Sequence, residues 1–288
     1  MELQWPLILF TTFLSASAGL FGAQGVYAIV GRGRLVQMRA LVASFVMLAL
    51  GGIAVFFHLT HPDRLFNGFG HITSGITQEL IAIVVMAIVM VLFFVLLRRS
   101  EEQLPAWLGV LAVVSAVALV VVMGHSYMMP SRPAWNSFVQ VASLIGAACA
   151  IGAGVMAYLD ASDTGDGDVH GVTTLVGSAI NALASIGFVA IAAGSVGSFI
   201  QVGFYFDPNH PTSGITEAQA YSPLAADAMA YTALAIVLAL CSLAFALYGK
   251  KTSKWQIAGA GCAICGFVGA MFLRVVLYCV GGSVFMFY

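Results

Sequence analysis

Charge is what this sequence has least of. Only 8% of its 288 residues are Asp, Glu, Lys or Arg, while 61% are hydrophobic and the mean hydropathy is +1.00. Soluble domains carry about 25% charged residues, so a chain this poor in charge has an apolar exterior that faces lipid. The net charge of −1 leaves no basic excess for a nucleic acid or another strongly charged partner. Charge runs and low-complexity stretches are missing too, so no soluble domain or disordered tail is expected. Cysteine is scarce: Cys149, Cys241, Cys262, Cys265 and Cys279 all fall in apolar runs, where Cys is a small buried hydrophobe. Cys262 and Cys265 make one C-x-x-C, without the second pair or following His of a metal site. Redox or catalytic chemistry is therefore expected to lie largely on another chain.

Period-two alternation is also lacking, which excludes a barrel and leaves an all-α membrane protein. Apolar runs of about 20 residues, the length that spans a bilayer, predict eight helices over 6–31, 37–60, 75–98, 106–127, 136–159, 172–204, 224–249 and 255–281. Together they form a single membrane domain over 1–288. Ser15-Ala16-Ser17-Ala18 offers a cleavage site in the first run, but Glu2 and the absence of Lys or Arg before it favour a retained helix. The sixth run is long, and Gly194, Gly197 and Gly203 allow it to tilt or break. Arg32, Arg34, Arg39, Arg98, Arg99, Lys250, Lys251 and Lys254 all fall on one side. The positive-inside rule makes that side cytoplasmic and places both termini outside. The connection with Asp160, Asp163, Asp166 and Asp168 has no basic residue, yet acidic residues weigh little in this rule.

The segment His71-Ile72-Thr73-Ser74-Gly75-Ile76-Thr77 matches His210-Pro211-Thr212-Ser213-Gly214-Ile215-Thr216 at six of seven positions. It reads either as a duplication, with halves 1–130 and 131–288 related by an axis along the membrane normal, or as coincidence between two helix starts, where Ser, Thr and Gly are favoured.

Ionisable groups inside hydrocarbon are costly and usually functional. Here they gather on the outer side: His58 ends the second run, His61, Arg64 and His71 follow it, and Glu79 lies about 6 Å of helix rise into the third. His125, Trp135 and Asn136 flank the fourth and fifth runs, and Arg274 falls late in the eighth. Of six histidines only His170 is assigned to the inner side. Each has a plain structural reading: Glu79 as a helix-dipole partner, Arg274 as a snorkelling cation, Trp135 as part of an interfacial belt, His61 and His71 as solvated loop residues. Those readings do not account for His58, Glu79 and Arg274 converging at similar depth. A Glu and a His at a membrane edge suit a lipid-soluble quinol, whose two hydroxyls lose protons as electrons leave. An Arg nearby favours anionic intermediates and keeps the Glu ionised. Two other classes stay open. A haem-b anchor would pair His58 with His125, and a small-solute or ion transporter would need ionisable groups crossing both leaflets.

Five segments bear on family. His58-Leu59-x-x-Pro62-x-Arg64-x-Phe66-Asn67, followed by Gln78-Glu79-Leu80, resembles the membrane-anchor subunit of the bacterial dimethyl sulfoxide reductase family. Trp5-Pro6-Leu7, Pro133-Ala134-Trp135-Asn136-Ser137 and Arg274-Val275-Val276-Leu277-Tyr278 point the same way, and length and span count agree along the whole chain. The resemblance implies an eight-helix anchor of the bacterial cytoplasmic membrane with both termini periplasmic, holding no haem or metal itself. It implies menaquinol oxidation on the outer side and electron transfer to an iron–sulfur subunit on that face, which feeds a molybdopterin catalytic subunit in anaerobic respiration. By motif it assigns the quinol-site histidine and glutamate to His58 and Glu79. Arg64, Trp135, Asn136 and Arg274 follow as supporting residues. His61 and the acidic loop 160–168 have no counterpart in the family pattern; His61 is included in the candidate quinol site on position alone.

Overall fold

The computed structural model describes residues 3–59, 67, 70–100, 104–161, 167–198 and 221–283. The structure over these residues is all helical. Eight helices are long and apolar enough to cross a membrane: α1 (Trp5–Val30), α2 (Gln37–Phe56), α3 (Gly75–Arg99), α4 (Ala106–Ser126), α5 (Phe138–Asp160), α6 (Gly167–Gly194), α7 (Ala226–Thr252) and α8 (Trp255–Cys279). Each expected span overlaps one of them. His61, Arg64 and His210–Thr216 lie outside the described residues.

Two boundaries differ from expectation in ways that matter for the site. α2 stops at Phe56 rather than near 60, because Phe57, His58 and Leu59 donate their amides three residues back, to Ala54, Val55 and Phe56, tightening the exit. The fifth helix starts at Phe138, with Ser137 as N-cap accepting from the Val139 amide at 3.3 Å. The long sixth run breaks as its glycines allow: α6 ends at Gly194, and a turn at Ser195 follows.

α1 and α5 hold the centre. α1 packs on α2, α4 and α5, while α5 also carries α6 and α8; α3 lies against α4, and α7 against α6 and α8. Lipid gives no hydrophobic drive between helices, so close backbone contact supplies the cohesion. A Cβ on Gly152 would sit 2.0 Å from the Gly19 carbonyl oxygen, so these backbones touch and only glycine fits. Two large apolar clusters fill the interior. One joins α1 to α4 around Phe21 and Phe93, whose rings meet edge-on at 5.5 Å; the other gathers Ile8, Trp135, Phe188, Leu273 and Tyr278. Outward positions such as Phe45, Ile88, Val114, Leu183 and Ile264 are exposed apolar side chains, as a lipid-facing surface requires. A cleft of about 310 Å³ is lined by α1, α4, α5 and α6 with almost wholly apolar walls, and none of the expected site residues lines it.

Candidate functional site

Glu79 is the fifth residue of α3, beyond the first turn where a carboxylate complements the helix dipole. Its side chain instead crosses to α4. It is 8% exposed and accepts a hydrogen bond from the Ser126 hydroxyl. The close approach is built into α3, since a Cβ on Gly75 would lie 2.9 Å from the Ser126 Cβ. Ser126 Oγ also lies 2.9 Å from the Met123 carbonyl oxygen. A hydroxyl has one proton to donate, so two arrangements fit the same heavy atoms. With Glu79 ionised, Ser126 donates to it; with Glu79 protonated, the acid donates to Ser126 and Ser126 donates to Met123. The pair accommodates both protonation states without moving.

Beside it, Tyr278 of α8 donates to the hydroxyl of Tyr127, which caps α4, at 3.3 Å. Trp135 meets both rings, at 5.7 Å from Tyr127 and 5.5 Å from Tyr278. Its indole N–H donates to the Leu277 carbonyl at 2.6 Å, which satisfies one of the carbonyls left open in the last turn of α8. Arg132 stacks over the Trp135 ring at 4.5 Å and donates to the Gly281 carbonyl. A Cβ at Gly281 would enter the Trp135 ring, 2.6 Å from the nearest atom, so glycine is needed there. Trp135 is thus 4% exposed, a buried brace rather than part of an interfacial belt.

Arg274 is 2% exposed, so it does not snorkel. It donates to the Ser143 hydroxyl on α5 rather than to a carboxylate. Glu79 and Arg274 both lie within electrostatic reach of the tyrosine hydroxyls. His58 is exposed just past α2 at the same end, and among the described residues no hydrogen bond or ion pair joins it to Glu79. Asn136 is exposed in the turn before α5. His125 is exposed at the end of α4. The structure therefore brings together Glu79, Ser126, Tyr127, Tyr278, Trp135 and Arg274, while His58 and Asn136 are exposed at the same end of the bundle.

A second polar cluster, not expected from the sequence, occupies the opposite end. Asp160 is the last residue of α5 and fully buried rather than a loop residue. It pairs with His170 at 3.3 Å, and the other ring nitrogen of His170 lies 2.6 Å from the Tyr27 hydroxyl. The Trp255 ring packs edge-on against His170 at 5.9 Å. The only hint in the sequence was that Asp160 and His170 flank one short connection.

Among the described residues, no group of three or more His, Cys, Asp or Glu is placed to hold a metal ion. A comparison with curated proteins gave no match. The family model described as DMSO reductase anchor subunit (DmsC) matches residues 1–280, nearly the whole chain. Its span count, its helical architecture and this match agree: the chain belongs to the DMSO reductase anchor subunit family and is a multi-pass membrane protein of an oxidoreductase complex.

Proposed function

We propose that this chain oxidises menaquinol at the Glu79 end and passes the electrons to an iron–sulfur subunit docked on that face. That subunit feeds a molybdopterin catalytic subunit. The end bearing Glu79 faces the periplasm and the basic end faces the cytoplasm, as the Lys and Arg distribution favours. The carrying observation is the Glu79–Ser126 pair, a buried carboxylate whose only hydrogen-bond partner among the described residues is a hydroxyl able to serve both its protonation states.

A quinol loses two electrons and two protons in becoming a quinone. Glu79 takes one proton from a head-group hydroxyl and passes it outward. His58, exposed at the same edge, takes the other, and His61 and Arg64, which follow it in sequence, are further candidate residues of the site. Trp135 holds the connection to α5 against α8, Asn136 is exposed beside it, and Arg274 supplies positive potential near the tyrosine pair. No haem or metal is assigned to this chain.

Purification of the tagged chain in mild detergent from its native host tests the assembly. An iron–sulfur protein and a molybdenum subunit at matching stoichiometry are expected, by mass spectrometry and metal counting. A metal-free chain alone, from cells expressing those partners, contradicts it.

A further inference from the structure

Where α1, α5 and α8 meet, Ala16, Ala147 and Ala270 form one apolar cluster. One helical turn toward the Glu79 end, the same faces carry Thr12, Ser143 and Arg274, because residues four apart share a helix face. The Thr12 hydroxyl is spent on the Ile8 carbonyl at 2.7 Å. Ser143 accepts from Arg274 Nη2 and donates to the Gln140 carbonyl at 2.7 Å. Three buried polar atoms then have no hydrogen-bond partner among the described residues: Arg274 Nη1 and both Nε2 and Oε1 of Gln140. Gln140 is 0% exposed and lies one turn beyond Ser143 on α5. An unsatisfied buried group costs about 1–3 kcal/mol, so three of them near one helix junction do not make a stable dry interface.

We propose that Gln140, Ser143 and Arg274 form a closed hydration site that holds one or two ordered waters between α5 and α8. Through it Arg274 acts as a positioning residue for the Tyr278–Tyr127 pair beside Glu79. Water matches the inventory because it accepts from the guanidinium and the amide N–H and donates to the amide oxygen; buried waters typically make about three such bonds. An anion would satisfy the donors and leave Gln140 Oε1 open. Tyr278 is one turn from Arg274 on α8, so fixing the guanidinium fixes the ring that bonds Tyr127. The hydration half stands alone, while the positioning half rests on the quinol reading above.

The test is cryo-electron microscopy of the intact complex at a resolution that shows waters, with a Gln140→Leu variant beside it. Density within hydrogen-bond reach of Arg274 Nη1 and the Gln140 amide, lost in Q140L, is expected. A direct Gln140–Arg274 bond with no density between them overturns the hydration site, as does a halide identified there by bromide substitution. In turnover assays, Q140L is expected to move the pH midpoint of quinol-dependent activity by about half a unit, a change of about threefold at a fixed pH on the flank. Activity from an artificial electron donor stays unchanged. Lost density with an unmoved pH profile overturns the positioning role. Should Glu79→Gln keep quinol turnover, the quinol reading fails while the density result stands.

Discussion

The two ends of the bundle treat buried charge in opposite ways. At the His170 end, the buried carboxylate meets an imidazole: Asp160 lies 3.3 Å from His170, and Tyr27 closes the other side of the ring. Nearby, Gln24 donates to the Gln37 side chain at 3.1 Å, and Arg34 donates to the Leu97 and Ser100 carbonyls at 3.0 and 2.6 Å. These contacts tie α1, α2, α3, α5 and α6 together. At the Glu79 end the carboxylate and the guanidinium are both buried but kept apart, each bonded to a serine hydroxyl. Mutual pairing suits a structural clamp. Separated charges with spare hydrogen-bonding capacity suit a site that exchanges protons or holds a ligand. Between the ends, helices communicate by small hydroxyl contacts such as Ser17–Ser44 and Ser178–Ser242. That pattern offers no ladder of charges of the kind a transport pathway through both leaflets would need.

Breaking the clamp has the largest expected effect on stability. Asp160→Asn leaves His170 without its carboxylate, and removing one member of a buried pair costs about 3–5 kcal/mol. A lowered thermal midpoint and poorer complex assembly follow, while quinol turnover per assembled complex stays within about twofold. At the other end the ranking reverses. Ser126→Ala removes the hydroxyl that serves both protonation states of Glu79 and is expected to lower quinol-dependent turnover by about tenfold or more, with a smaller fall in thermal midpoint than Asp160→Asn gives. If the two variants swapped these signatures, the contrast between the ends would collapse.

Trp135→Phe sharpens the comparison from the rim. It strands the Leu277 carbonyl and loosens the connection over α8, for a loss of about 1–3 kcal/mol read by thermal unfolding. Smallest is Ser178→Ala in the middle of the bundle. Interhelical hydroxyl bonds in membranes average about 0.6 kcal/mol, so its thermal midpoint barely moves and both activities persist.

Much of this was legible in the sequence. The eight spans follow from apolar length, and Glu79, Trp135 and Arg274 stood out because a polar group in an apolar run is conspicuous. The apolar run Phe56-Phe57-His58-Leu59 hid the early end of α2, since hydropathy does not register a tightened helical exit. Ser126, Tyr127, Gln140 and Ser143 were not legible because their importance comes from partners on other helices. Arg274 and Ser143 are 131 residues apart, and Tyr27 and His170 are 143 apart. A serine at the end of a span looks ordinary until α3 lays Glu79 against it.

The most direct test of the central claim is the ratio of quinol-driven to artificial-donor-driven turnover in the assembled complex carrying Glu79→Gln. The account predicts a fall of about 10²–10⁴-fold in the quinol reaction, the range for a lost general base, with the artificial donor still fully active. Quinol turnover retained at the wild-type level in an assembled Glu79→Gln complex would contradict it.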